Sequence, residues 1–208
     1  MEDKKLYIIR NVGKLYMKFG IRSVTMDDVA NEFGVSKKTL YQYFSDKEDL
    51  VSNVIDYFLD NPELDLRTDK KANAIDNMFQ VRKHVATIFK IYNNNIEFDL
   101  KKTYPKLYQK VRDVKRQRIF SNTIANIKQG ILQGLYRDDL NAEFIAKLQV
   151  GRMLFTLNPD YQVFKDNEAN SLEVFDETMN YHMHAICTEK GIKYYKKQFK
   201  KVQNEDKH

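Results

Sequence analysis

Thr25-Met26-Asp27-Asp28-Val29-Ala30-Asn31-Glu32-Phe33-Gly34-Val35-Ser36-Lys37-Lys38-Thr39-Leu40-Tyr41-Gln42-Tyr43-Phe44 is the stretch that decides the fold. The Thr25 hydroxyl is placed to accept a free backbone N–H, and the Asp28 carboxylate to reach back, so a helix starts here in a close relative of the capping box. Val29, Ala30 and Phe33 form its apolar stripe, and Gly34 closes it after two to three turns. Ser36 then offers an N-cap for a second short helix holding Leu40, Tyr41 and Phe44. Two short helices joined through Gly34-Val35-Ser36 have the form of a helix-turn-helix, spanning about residues 25–44. In that motif the second helix enters a DNA major groove by its N-terminal end. Donors therefore belong there, and apolar residues must face the supporting helices. Leu40 and Phe44 supply the apolar face. At about 100° per residue, Lys37, Lys38, Gln42 and Tyr43 cannot all share that face and remain exposed for DNA. Lysine donates to guanine O6 and N7, and Gln pairs bidentately with adenine, so this edge has the chemistry to read bases. Thr39, Tyr41 and Lys47 suit phosphates.

Working outward, Leu6, Ile9, Val12, Leu15, Tyr16 and Phe19 recur at steps of three and four, and Gly20 stops that helix. Ser45-Asp46-Lys47-Glu48 reads as a capping box opening a helix with Leu50, Val51, Val54, Ile55, Phe58 and Leu59. Pro62 and alternating acids mark residues 61–69 as a connection. Longer helical patterns follow, one from Ile75 to Ile96, another after Pro105 from Leu107 to Leu135, and one from Phe144 to Phe155. Leu172, Phe175, Met179, His182 and Ile186 then step by three, four, three and four, the rhythm of a helix packed lengthwise on a partner. No strand pattern or internal repeat appears. The expected fold is all-α, with a helix-turn-helix DNA-binding domain over residues 1–60 and a larger helical domain for ligand binding and dimerisation over 61–208.

Composition fits a globular helical chain: 208 residues with 42% apolar and 31% charged, but only 7 Gly and 3 Pro. Cys187 is the single cysteine, which excludes an internal disulfide, a cysteine-based zinc site and a Cys-x-x-Cys redox pair. No apolar run approaches a membrane span or a signal-peptide core, and a cytoplasmic protein is expected. The net charge of +6 is unevenly spread. Residues 1–60 carry 9 basic against 10 acidic groups, residues 101–118 carry 8 against 1, and the segment from Lys190 carries 7 against 2. Both basic runs read most simply as a solvated helix face and a mobile tail. The run at 101–118 would otherwise suit anionic ligands or a membrane surface.

The stretches Thr25-Met26-Asp27-Asp28-Val29-Ala30, Phe33-Gly34-Val35-Ser36-Lys37-Lys38-Thr39-Leu40-Tyr41, Tyr43-Phe44 and Asp46-Lys47-Glu48-Asp49-Leu50 together resemble the N-terminal domain of the tetracycline-repressor (TetR) family of bacterial one-component regulators. The resemblance implies an all-helical homodimer whose paired heads bind a palindromic double-stranded operator, usually to repress transcription until a small-molecule effector releases it. It implies phosphate contacts from the positions of Thr25, Tyr41 and Lys47, base-edge contacts from Lys37, Lys38 and Gln42, and a backbone contact from Tyr43. The candidate DNA-contact set is thus Thr25, Ser36, Lys37, Lys38, Thr39, Tyr41, Gln42, Tyr43 and Lys47. By the same analogy, helices over roughly 141–158 and 168–189 would form a four-helix dimer interface, for which Leu172, Phe175, Met179, His182 and Ile186 are the candidates. One departure is visible. Asp27 and Asp28 stand where some family members place basic or neutral DNA-facing residues, and this motivates an alternative, a helical ligand- or protein-binding module with weakened DNA binding.

Other constellations carry less. His182 and His184 are two apart, about 200° around a helix, whereas helical metal ligands sit four apart; no metal is expected. His182 suits a core or interface histidine. Cys187 has no base or basic cluster beside it and reads as inert. Phe89, Tyr92, Phe120, Met153, Phe155 and Tyr161 fit the core, the first five also serving as candidates for lining a ligand cavity. No nucleophile, base and orienting group assemble, and no phosphate loop, G-x-S-x-G or H-E-x-x-H occurs, so neither catalytic residues nor a cofactor are expected.

Overall fold

The computed structural model describes residues 2–60, 71–91, 95–156, 161–165, 168 and 171–205. Their regular structure is helical: α1 Glu2–Phe19, α2 Met26–Glu32, α3 Lys37–Tyr43, α4 Lys47–Asp60, α5 Ala74–Ile91, α6 Asn95–Thr103, α7 Pro105–Leu132, α8 Ala142–Gly151 running into a π turn at Arg152–Thr156, α9 Leu172–Ile186 and α10 Glu189–Glu205. Two compact units form, one from residues 1–65 with 90–115, the other from 66–89 with 116–208.

In the first unit, α1 turns Ile8, Ile9, Val12 and Tyr16 inward against Val29 and Ala30 of α2, Leu40 of α3, and Leu50, Val51 and Val54 of α4. Gly20, at φ 83°, ends α1 in the left-handed region that side chains disfavour, and its N–H reaches the Tyr16 carbonyl at 2.9 Å. Gly13 lets α1 and α4 approach closely, since a Cβ there would lie 2.0 Å from the Phe58 ring. Leu100 and Tyr104 add α6 and the residue opening α7 to the same core. The box opening α4 is displaced by one residue from the sequence expectation. Asp46 Oδ1, not Ser45, accepts the Asp49 N–H at 2.8 Å, and Asp49 rather than Glu48 reaches back to the Ser45 N–H at 2.9 Å. A carboxylate is the stronger acceptor for free N–H groups at the positive end of a helix.

The second unit centres on Ala74, Ile75, Tyr136, Phe175, Met179, Met183, Ile186 and Tyr195. Several of its interior polar groups are paired: Arg82 on α5 makes a bidentate ion pair with Asp176 on α9, both contacts 2.7 Å, and Asn126 donates to the Ala74 carbonyl while accepting from the Tyr136 hydroxyl. The expected mobile tail beyond Lys190 is instead helix α10. Tyr195 is fully buried between the stacked rings of Phe79 and Phe199, at 5.7 and 5.6 Å, and Tyr194 donates to the Asp76 carboxylate. Ile192, Tyr195 and Phe199 share one helix face, and the lysines between them conceal the apolar stripe in the sequence. Gly191 permits the docking, because a Cβ there would lie 2.0 Å from the Leu135 carbonyl oxygen. Cys187 is buried, and that burial pushes its thiol up to about 12, so thiolate chemistry is suppressed.

Candidate nucleic-acid interface

The head presents α3 as a short, capped cylinder with one side sealed. Ser36 Oγ accepts the Thr39 N–H at 3.0 Å and lies 2.8 Å from the Thr39 hydroxyl, fixing where the helix begins. Gly34, at φ 60°, makes the corner before it, and the Val35 N–H returns to the Ala30 carbonyl at 3.0 Å. Leu40 and Phe44 are buried in the head core. With Leu40 and Phe44 turned inward, Lys38 and Gln42 fall on the opposite side of α3, Lys37 at the first turn and Tyr41 at the flank are also exposed, and Thr39 and Tyr43 are half-buried.

Thr25 caps α2. Its hydroxyl accepts from the Asp28 N–H at 3.1 Å, and Asp28 Oδ2 accepts from the Thr25 N–H at 2.8 Å and from its hydroxyl at 2.7 Å. The N–H of Thr25 holds the Asp28 carboxyl below its ordinary range. Asp27 reaches across to α3, where its oxygens lie 2.8 and 3.0 Å from Lys37 Nζ and raise the lysine's pKa. The two acids that set this head apart are therefore engaged within it: Asp28 closes a cap and Asp27 ties the two helices together. Both partners of the latter pair are more than half exposed, so the tie is weak and salt-screened, and a phosphate or base edge can compete for Lys37. Lys47 is half-buried and donates to the Arg22 carbonyl at 3.2 Å. Burial lowers its pKa, while Asp99 and Asp28 oppose that shift.

The other candidates divide. Phe89 and Met153 pack on the core of the second unit, and Phe120 is half-buried in that unit. Tyr92 and the Phe155 side chain lie outside the described residues. An open depression lined by Ile131, Gly134, Tyr136, Arg137, Asp138, Asp139 and Thr188 contains none of these aromatics. On α9, Phe175, Met179, His182 and Ile186 are buried within the chain's own core and Leu172 packs at its edge, so these side chains are occupied internally. Most of the stripe with heptad-like spacing lies in a core cluster with residues of α5, α7, α8 and α10 of the same chain. Sequence periodicity cannot distinguish that from a second copy. The exposed apolar groups on these elements are instead Phe144 and Leu148, one turn apart on α8, and Tyr181 on α9. Sequence reasoning also passed over Asp99, whose contact with Arg22 spans 77 residues and leaves no local signal. Among the described residues no group of three His, Cys, Asp or Glu side chains could hold a metal ion, and no helix is long and apolar enough to cross a membrane.

Residues 13–54, which include this whole assembly, match the family model described as "Bacterial regulatory proteins, tetR family". The chain is 30% identical over 112 residues to the biofilm operon icaADBC HTH-type negative transcriptional regulator IcaR of Staphylococcus epidermidis, covering 52% of this chain and 51% of that one. Matches to two HTH-type regulators of Bacillus subtilis span only 20% and 44% of their lengths. The fold is similar to that of a transcriptional regulator from Cytophaga hutchinsonii, with TM-score 0.70 and 21% identity over 89% of this chain and 99% of that one. It is also similar to a regulator from Saccharomonospora viridis in complex with choline, with TM-score 0.60 and 15% identity over 91% and 100% of the two chains. Helix-turn-helix, capped second helix and family match coincide in the same forty-odd residues, so residues 13–54 form a domain of the tetR family of bacterial regulatory proteins.

Proposed function

We propose that the chain is a homodimeric cytoplasmic repressor that binds a palindromic operator and is released by a small molecule. The observation that carries this is the exposed edge of α3, where Lys37, Lys38 and Gln42 stand on a helix whose other side is sealed by Leu40 and Phe44. Lys37, Lys38 and Gln42 are the base-edge readers, while Thr25, Ser36, Thr39, Tyr41, Tyr43 and Lys47 serve the phosphates, which supply most of the affinity and a steep salt dependence. Residues 1–60, packed in one unit with 90–115, form the DNA-binding domain, and the unit from 66–89 and 116–208 serves dimerisation and the effector. The naming of IcaR as a negative regulator supports repression, and the choline complex of the S. viridis protein supports a small organic effector. Phe144, Leu148 and Tyr181 offer the apolar surface for a second copy. Two heads held one helical turn apart, roughly 34 to 36 Å, match two half-sites, and an effector that favours another spacing shifts the population off the operator.

The test is selection from a random duplex pool followed by gel shift. The wild type enriches a two-fold symmetric site, and Lys37→Ala and Gln42→Ala weaken binding to it. No enriched site, or unaltered binding in both variants, overturns the proposal. The alternative of a binding module with weakened DNA function rests on the acidic balance of the head, and Asp27 and Asp28 are both engaged there in helix-stabilising contacts.

A further inference from the structure

Asp99 on α6 is 5% exposed, and a carboxylate taken that far from water needs partners. Its Oδ2 accepts the backbone N–H of Arg22 at 2.9 Å. The carbonyl of the same Arg22 accepts from Lys47 at 3.2 Å. Arg22 is thus held at both backbone polar atoms, from α6 on one side and from the first turn of α4 on the other. It sits three residues before Thr25, the cap of α2. Leu100, next to Asp99 in sequence, and Tyr104, just past the end of α6, are buried in the head core and fix α6 in place. Lys47 in turn faces Asp99 and Asp28 from a half-buried position.

We propose that Asp99 is a positioning residue for DNA binding: from α6 it fixes the Arg22 turn and the direction of Lys47, and so places Thr25 and Lys47 against the phosphates. This rests on the reading of the head as a DNA-binding domain. Asp99→Ala removes the acceptor for a sequestered N–H and the charge facing Lys47 together. Asp99→Asn keeps an acceptor and removes only the charge.

The experiment uses the full chain and the duplex that the wild type selects from a random pool. Affinity is measured across a salt series for the wild type, Asp99→Asn, Asp99→Ala, Lys47→Met and the Lys47→Met/Asp99→Asn double variant, with helical content checked by circular dichroism. Asp99→Ala lowers affinity about tenfold, and its salt slope falls by about one as the Lys47 phosphate contact is lost. Asp99→Asn falls between Asp99→Ala and the wild type, and its effect disappears when Lys47 is already absent. Where Asp99→Ala does not fold, Asp99→Asn carries the test. Wild-type affinity and salt slope in a folded Asp99 variant, or an Asp99→Asn effect undiminished by Lys47→Met, overturns the proposal while leaving the DNA reading intact. A wild type that retains no duplex overturns both.

Discussion

Lowering the pH from 7 to 5 destabilises this chain through His182. The imidazole is 8% exposed, and burial together with the nearby Arg152 guanidinium holds its pKa down to about 3. In an unfolded chain a histidine titrates near 6.5. The folded pKa is the depressed one, so as pH falls the unfolded state takes up the proton first. The contribution is fully present above about 6.5 and is lost progressively as pH falls toward 3. At pH 5 this shifts the folding equilibrium toward the unfolded state by a factor of about thirty, or about 2 kcal/mol. For a chain of 208 residues this lowers Tm by roughly 4 to 8 °C, beyond what other groups contribute. Thermal melts at pH 7 and pH 5, at one protein concentration, compare the wild type with His182→Gln, which cannot titrate. The variant loses that share of the pH sensitivity whatever its stability at pH 7. Equal sensitivity in the two proteins refutes the argument that α9 buries an uncharged imidazole.

Arg82→Met leaves Asp176 without its counter-ion and costs about 3 to 5 kcal/mol, whereas Arg82→Met/Asp176→Leu returns close to wild-type stability; urea midpoints distinguish the two. Gly191→Ala drives a methyl group into the Leu135 carbonyl, which cannot yield as a side chain would, and costs about 1 to 3 kcal/mol. Near-ultraviolet dichroism of the stacked Tyr195 reports the loosening of α10, and an unchanged signal counts against its docking. Asp27→Asn frees Lys37 and removes a negative charge from the head, so affinity for the selected duplex rises at low salt and converges on wild type at high salt. Phe144→Glu/Leu148→Glu shifts the chain toward monomer in sedimentation equilibrium, and wild-type association would remove α8 from the interface.

The head is legible in the sequence because its determinants are local. The Thr25 and Ser36 caps act over three residues, and Gly34 takes a backbone conformation that other residues resist. Leu40 and Phe44, set against Lys38 and Gln42, show which way α3 faces. What stays hidden depends on distance or on ambiguity of pattern. The Arg82–Asp176 pair joins residues 94 apart, and nothing near either one announces it. The stripe from Leu172 to Ile186 shows that α9 buries a face, but the identity of the covering elements is a tertiary fact, and here it joins a cluster drawn from several helices of the same chain. The dense lysines of α10 mask Ile192, Tyr195 and Phe199, since long charged side chains lie alongside an apolar stripe while their ends stay in water. At the start of α4, Ser45 and Asp46 are adjacent acceptors, and spacing alone does not say which one caps.

The central claim is that the outward edge of α3 reads bases. Its most direct test is to measure wild type and Gln42→Ala on every single-base variant of the selected duplex. The account predicts that Gln42→Ala flattens the preference at one position in each half-site, by about 1 to 3 kcal/mol, and leaves the other positions as they were. A variant that weakens binding equally on all duplexes, or preserves the wild-type preference profile at every position, contradicts it.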